Sequence, residues 1–254
     1  MKKTKLFGGI MLMLLGMNFM ACGVNDSEED NSTVSELMVA RYNNGENCLY
    51  DINGVKMIPN DASMMYTVSG SGLYQFTVRY NPTKVSGGQI NVDLVSSPES
   101  IMNKYGLVPE PISLNEGWEP LSLYMLSNSM YGYRPVLFGK DYLLLPVMFW
   151  GPSIVNESER KDELARHAFV LSYEEFKPGD ESLVFHLTDY VKNAGDTRRQ
   201  NYLVNEGFYI GDVVNQFKAA GNSLKQIVFV AMTSSGNYEF ERGTEERYTL
   251  EYKD

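Results

Sequence analysis

The sequence predicts an all-β protein made of two units, each a barrel or a sandwich. Three observations lead to this prediction. Apolar and polar residues alternate over many short segments, which is the pattern of strands with one buried face. Turn-forming residues separate these segments about every ten positions. The chain also has 17 tyrosines and 12 phenylalanines among its 254 residues, and aromatic side chains favour strands and their cross-strand pairs.

The first half of the chain predicts two hairpins. Residues 73–80, LYQFTVRY, place four large apolar side chains on one face, and residues 88–95 repeat the alternation after a link rich in turn residues. Residues 48–59 read as two short strands around Asn53 and Gly54, a pair that favours a tight turn.

Two short helices are predicted among the strands. Over residues 97–106, Ser97 can cap a helix and Gly106 can end it. Over residues 210–221, Asp212 is the expected cap, and apolar residues at helical spacing follow it.

The second half returns to strand patterns. A segment rich in proline and glycine, residues 106–120, is the best boundary between two units. Five strand segments follow, at residues 141–150, 167–173, 182–190, 225–232 and 247–254. The segment 225–232 is apolar on both faces, which predicts a central strand.

The first 22 residues resemble a bacterial lipoprotein signal. Three lysines lie among the first five residues, and residues 6–17 are apolar or glycine, too short a run to span a bilayer. Ala21 then precedes Cys22, as in a lipobox. In lipoproteins of this pattern the cysteine thiol carries a diacylglycerol, and two or three acyl chains hold a protein firmly on a membrane. A plain secretory signal with a chance cysteine is the alternative.

An acidic tract follows the cysteine. Residues 23–36 contain five carboxylates, no basic residue and almost nothing apolar. Such a stretch cannot bury enough surface to offset its chain entropy, so we expect a disordered tether over residues 22–36. The tract also resembles the signal that sends lipoproteins of Bacteroidetes to the outer face of the outer membrane.

The charge excludes one class of partner. Removal of residues 1–21 leaves 19 basic and 32 acidic residues, a net charge of −13. A chain this acidic, with no basic stripe, is not expected to bind nucleic acid, which requires patches of lysine and arginine.

The order of parts resembles the NigD-like lipoproteins of Bacteroides. The resemblance spans the whole chain and is carried by residues 50–59, residues 167–190 and the closing strands, whereas the loop at residues 150–166 departs from the family pattern. It implies an OB-like barrel followed by an antiparallel β-sandwich, and an immunity role against a bacteriocin without catalytic residues. The expected parts are a signal peptide (1–21), an acidic tether (22–36), the barrel (37–113) and the sandwich (114–254).

The residues suggest no catalytic centre. His167 and His186 lie on strands that could pair, and Asp189 or Glu174 could add a metal ligand. Two ordinary surface histidines are the preferred interpretation. No serine-hydrolase elbow or paired-cysteine spacing occurs, so we predict no enzyme activity, metal or cofactor.

Binding is the better expectation. Tyr131, Tyr133 and Arg134 lie in a glycine-containing stretch, and Trp118 and Trp150 lie near predicted loops. Tyrosine, tryptophan and arginine are the residues that dominate binding hot spots, although core or edge-strand packing is the commoner role.

The sequence therefore predicts a lipoprotein at the outer membrane of a Gram-negative bacterium, on the cell surface, that binds a partner. A protein such as a toxin is the first candidate partner. The alternative is a glycan, bound by an accessory protein of a polysaccharide-utilisation system through Trp118 or Trp150.

The lipid anchor can be tested directly. Cys22→Ala is expected to abolish incorporation of labelled palmitate and to release the protein from the membrane fraction, because that thiol carries the lipid. Cys48→Ala is the matched control and should change neither property. Palmitate labelling or membrane retention that persists in Cys22→Ala would contradict the anchor.

Overall fold

The computed structural model describes residues 33–109, 117–127, 132–195 and 197–253. The predicted signal peptide, Cys22, the acidic tract up to residue 32 and Tyr131 lie outside the described residues. Within them the chain is mostly strand, as predicted, with two short α-helices and three 3₁₀ turns. No helix in the described ranges is long and apolar enough to cross a membrane.

The first unit is a closed five-stranded barrel. Its strands are β1 (Val34–Asn43), β2 (Cys48–Tyr50), β3 (Lys56–Pro59), β4 (Gly72–Tyr80) and β5 (Gln89–Leu94). They pair around the barrel in the order β1, β2, β3, β5, β4 and back to β1, with β3 and β5 parallel. A further two-residue strand, β6 (Glu99–Ser100), pairs with β4. This confirms the OB-like barrel.

Both predicted hairpins form in the barrel. Tyr74, Phe76, Val78 and Tyr80 point into its core, as the alternation of β4 predicted. Gly54 has φ +78°, a conformation that glycine adopts without strain, and it turns the chain between β2 and β3. The first strand begins at Val34, three residues before the expected boundary of the barrel.

The second unit is a β-sandwich. Its strands are β7 (Leu107–Val108), β8 (Trp118–Leu121), β9 (Val136–Phe138), β10 (Tyr142–Gly151), β11 (His167–Tyr173), β12 (Ser182–Lys192), β13 (Gln200–Tyr209), β14 (Gln226–Thr233) and β15 (Thr244–Glu251). One sheet has the order β13-β10-β9. The other has the order β15-β14-β12-β11-β7, and β8 extends it along β12. Phe149, Phe185, Phe208 and Phe229 are almost fully buried between the sheets.

Not every pairing in the sandwich is antiparallel. Most are, but β12 pairs with β14 in parallel, and β11 pairs with β7 in parallel. The chain leaves β12, passes through β13 in the opposite sheet and through a helix, and returns as β14. A crossover of this kind brings the next strand back in the same direction.

The helices differ from expectation in two of three cases. Helix α1 (Glu157–Ala165) was not predicted, and it lies in the loop where the family resemblance fails. Helix α2 (Gly211–Ala219) confirms the prediction, with Asp212 in its first turn rather than at its cap. The helix predicted over residues 97–106 is wrong, because the backbone there pairs with β4 and β13 instead.

The barrel packs directly against the sandwich. Leu73 of the barrel shares a small apolar cluster with Val136, Phe138 and Leu144 of the sandwich. The Asn205 amide also donates a hydrogen bond to Gln75 across the junction (2.8 Å). The two units therefore contact each other through a packed interface.

Candidate functional site

An open cleft lies on the sandwich where strand β11 ends. Its volume is about 810 Å³. Two acidic residues, two aromatic residues and one histidine are prominent among its lining residues, which are Pro109, Ser172, Tyr173, Glu174, Glu175, Phe176, His186 and Gln216. A volume of this size lies in the range of ligand sites in proteins.

The strand register brings the central residues of the cleft together. Ser172 lies directly opposite His186 in the β11–β12 pair. The His186 Nε2 atom is 2.7 Å from Glu174 Oε1, and both side chains are partly exposed. Phe176 is held in place by an edge-on contact with Phe217 of α2, with ring centroids 5.3 Å apart. The cleft is thus formed by the end of β11, the connection that follows it, His186 of β12 and Gln216 of α2.

A second cavity of about 390 Å³ continues from the first. The two share Tyr173 and Gln216 as lining residues. The second cavity adds Asp212, Asn103 and Tyr209 to the surface, and Tyr209 is 42% exposed. The described residues that line the two cavities include three carboxylates and no lysine or arginine. Their surface is therefore acidic and aromatic.

A partly buried carboxyl group lies behind the second cavity. The Asn103 amide donates hydrogen bonds to Glu206 Oε2 (2.7 Å) and to the Phe169 carbonyl (2.9 Å). Burial raises the pKa of Glu206 to about 7, although the hydrogen bond from Asn103 opposes this. Glu206 lies on β13 between Val204 and Phe208, which pack in the sandwich core.

A buried ionic cluster lies at the opposite end of strand β11. His167 Nδ1 is 2.8 Å from Asp189 Oδ1, and His167 Nε2 is 3.0 Å from Glu163 Oε1. Arg198 donates to Glu163 Oε1 (2.7 Å), and Arg166 donates to Glu163 Oε2 (2.9 Å). The side chains of His167, Asp189 and Arg198 have no exposed surface.

The charges in this cluster stabilise one another. Burial alone would lower the pKa of His167, but the Asp189 carboxylate and the hydrogen bonds raise it. Burial would likewise raise the pKa of Glu163, but His167 and Arg198 lower it to about 2. Both imidazole nitrogens face carboxylates, which favours the protonated ring, whereas the Arg198 guanidinium, 3.3 Å from Nε2, opposes it. The cluster ties α1, β11, β12 and the segment before β13 together.

The expectation of two surface histidines is wrong for His167. It is paired with Val191 in the strand register, whereas His186 is paired with Ser172, so the two are not cross-strand neighbours. His186 is partly exposed, in agreement with the expectation. Among the residues that the structure describes, no group of three His, Cys, Asp or Glu side chains is arranged to hold a metal ion.

Four of the five binding residues predicted from the sequence are described by the structure and do not line the cleft, and the fifth, Tyr131, lies outside the described residues. Trp150 is buried, its indole N–H donates to the Ser234 carbonyl (3.0 Å), and Tyr124 packs edge-on against it. Trp118 is half-buried on β8, opposite Lys192. Tyr133 is half-buried and Arg134 is exposed, each outside the cleft.

Sequence reasoning named two of the cleft residues, His186 and Glu174, as possible metal ligands, but it did not identify the cleft as a binding surface. The run SYEEF, residues 172–176, carried a usable signal, because two aromatic and two acidic residues are adjacent at the end of a strand. The other lining residues come from distant parts of the chain. Only the register of β11 with β12 and the position of α2 bring them together.

Solved structures with a similar fold include proteins from Bacteroides fragilis and Parabacteroides merdae. A protein provisionally described as a lipoprotein, from Bacteroides fragilis, superposes with a TM-score of 0.72 at 20% identity, covering 87% of this chain and 99% of its own. An uncharacterized protein from Parabacteroides merdae matches with a TM-score of 0.52 at 10% identity, covering 87% and 100%. At these identities the likeness shows the fold alone.

A NigD-like immunity protein from Bacteroides caccae is also among the structural neighbours. It matches with a TM-score of 0.43 at 14% identity, covering 86% of this chain and 99% of its own, a likeness too distant to carry an argument. No family model matches the chain, and no curated protein matches it.

The two histidines provide a matched pair of substitutions. His167→Ala leaves the buried Asp189 carboxylate without its imidazole donor, although Glu163 keeps Arg166 and Arg198, and is expected to lower the free energy of unfolding by about 3–5 kcal/mol. His186→Ala should cost less than about 1 kcal/mol, because its ion pair with Glu174 is partly exposed. Urea denaturation at neutral pH measures both. Equal losses would show that the buried cluster does not stabilise the fold.

The carboxyl group of Glu206 should make stability depend on pH. A pKa raised from 4.5 to about 7 on folding stabilises the protein below pH 4.5, and this contribution is lost as pH rises through 7. Glu206→Gln should therefore be more stable than the parent at pH 8, by about 3 kcal/mol, and the difference should vanish near pH 4. Urea denaturation across this range, with Glu245→Gln as an exposed control, tests the expectation. A difference that does not vary with pH would refute it.

Proposed function

We propose that this protein is a membrane-anchored, non-catalytic binding protein whose cleft at the end of β11 binds a positively charged segment of a protein partner. The observation that carries the proposal is the lining of the two joined cavities. Glu174, Glu175 and Asp212 provide negative charge, and the aromatic side chains of Tyr173, Phe176 and Tyr209 form part of the surface.

This lining matches the chemistry of lysine and arginine. Carboxylates accept charge-assisted hydrogen bonds from both cations, and arginine pairs with them in a bidentate manner. Aromatic faces add cation–π attraction of about 0.5–1 kcal/mol at exposed sites. The net charge of −13 for the mature chain adds long-range attraction for a basic partner and raises the association rate.

The location follows from the first residues of the chain. The lipobox at Cys22 and the acidic tract after it support attachment to the outer membrane with the body on the cell surface. The likeness in fold to a Bacteroides fragilis protein described as a lipoprotein agrees with this placement. A cationic toxin at the cell surface fits both the location and the cleft, and an immunity role is what the resemblance to NigD-like lipoproteins implies.

A non-catalytic role is supported by the position of the titratable groups. The most strongly coupled ones, around His167, are enclosed in the sandwich and do not line the cleft. Glycan capture through Trp150 has less support, because that ring is buried against Tyr124 and cannot stack on a sugar.

The cleft can be tested by reversing its charge. The probes are synthetic peptides rich in lysine, arginine and aromatic residues, and matched peptides with glutamate in place of each cation. Glu174→Lys combined with Glu175→Lys should weaken binding of the basic peptides about tenfold or more, as measured by fluorescence anisotropy. The control is Glu241→Lys combined with Glu251→Lys, which makes the same charge change at exposed positions outside the cleft.

Two outcomes would contradict the proposal. One is equal binding of the basic and acidic peptides by the parent protein. The other is an equal loss in the two double variants, which would mean that only the overall charge matters. A steep salt dependence in the parent that is reduced in the cleft variant would support a local electrostatic site.

A further inference from the structure

The barrel carries a groove that is separate from the cleft. It lies on the outer side of β3, β5 and β4 and has a volume of about 530 Å³. Its lining is rich in amide side chains and holds two cations, Arg79 and Lys84, with Asp93 as its one acidic residue among the described lining residues. The three charged lining residues sum to +1, on a protein that is strongly negative overall, and the lining residue Tyr80 donates a hydrogen bond to the Glu36 carboxylate.

The cation at Arg79 is available for a ligand. Arg79 lies opposite Asp93 in the β4–β5 pair, but no ion pair joins them. Asp93 instead accepts a hydrogen bond from the Asn60 amide (2.7 Å). Arg79 is exposed and forms no ion pair with any residue that the structure describes. The neighbouring Gln89 and Asn91 are also exposed and can donate hydrogen bonds.

The residues that precede the described part of the chain are within reach of this groove. Thr33, which immediately precedes β1, is itself one of the lining residues. Asp26, Glu28, Glu29 and Asp30 precede it by at most seven residues. A fully extended chain covers about 3.5 Å per residue, so all four carboxylates lie within about 25 Å of the groove.

We propose that the acidic segment of residues 26–30 binds in this groove of its own barrel, through its carboxylates and the cations of Arg79 and Lys84. A short covalent link gives the segment an effective concentration of the order of millimolar, so weak contacts suffice. A free anion would have to displace these carboxylates. The bound segment would hold the barrel close to the lipidated cysteine instead of at the end of an extended tether.

Paramagnetic NMR on the mature chain, residues 22–254, tests this proposal. A nitroxide label is attached at Ser27→Cys in a background of Cys22→Ala and Cys48→Ala, so that a single thiol is present. The amide signals of Arg79, Gln89 and Asn91 should lose about half of their intensity or more, while signals of the sandwich should not. About 0.5 M NaCl, which shortens the Debye length to roughly 4 Å, should restore them.

Charge reversal provides the decisive comparison. Arg79→Glu combined with Lys84→Glu should remove the selective broadening. Adding Asp26→Lys, Glu28→Lys, Glu29→Lys and Asp30→Lys to that variant should restore it, because the charge of the segment and the two groove cations are then both reversed. Lys225→Glu combined with Arg247→Glu, two exposed cations on the sandwich, is the matched control and should leave the broadening unchanged.

Two results would overturn the proposal. The first is broadening that is absent from the groove or survives the reversal of Arg79 and Lys84. The second is a set of groove amide signals that the label does not broaden but that shift on titration with galacturonate. That result would make the groove a site for acidic sugars instead. Either result leaves the proposal for the cleft on the sandwich intact, because the two sites share no residue.

Discussion

The antiparallel register of β11 with β12 is the constraint on which both polar regions of the sandwich depend. It places Phe169 opposite Asp189, so that His167, two positions along, can reach the Asp189 carboxylate. The same register places Ser172 opposite His186 at the other end. A slip of one residue would move the side chains of the slipped strand to the other face, which would take His167 away from Asp189 if β11 slipped and bury His186 if β12 slipped.

The aromatic core makes such a slip costly. Phe149 contacts the rings of His167, Phe169 and Tyr202, with centroids 4.4–5.8 Å apart. These rings lie between the ionic cluster and the remaining apolar core, so the cluster is sealed by packing on one side and by α1 on the other. A buried ion pair alone would add little stability, because desolvation opposes the Coulomb attraction. Here the ionic cluster specifies how α1, β11 and β12 pack together, because its charged side chains find their partners only when these elements are in contact.

Much of the fold could be predicted from the sequence, and the exceptions have local causes. Period-two alternation identified β4, β5, β12 and β15, because each has one face in the core and one face of more exposed, mostly polar residues. Helix α1 was missed because its residues are charged almost all round and bury only Glu163. Its capping pattern was readable, because Asn156 is followed three residues later by Glu159. In the structure the Glu159 N–H donates to Asn156 Oδ1, and the Val155 N–H donates to Glu159 Oε2. The short helix predicted over residues 97–106 failed because strand pairing outweighed local propensity.

The candidate site was harder to predict than the fold, since aromatic residues serve both cores and surfaces. Trp150 and Tyr173 both lie at or next to the end of a strand, yet one is buried and the other lines the cleft. Sequence composition gave the sign of the charge but not its distribution. In the folded protein the two lining surfaces differ: the cleft lining holds carboxylates and no lysine or arginine, whereas the described lining of the barrel groove holds two cations and one carboxylate. A cationic ligand would therefore find acceptors for its charge at the cleft but would face Arg79 and Lys84 at the groove.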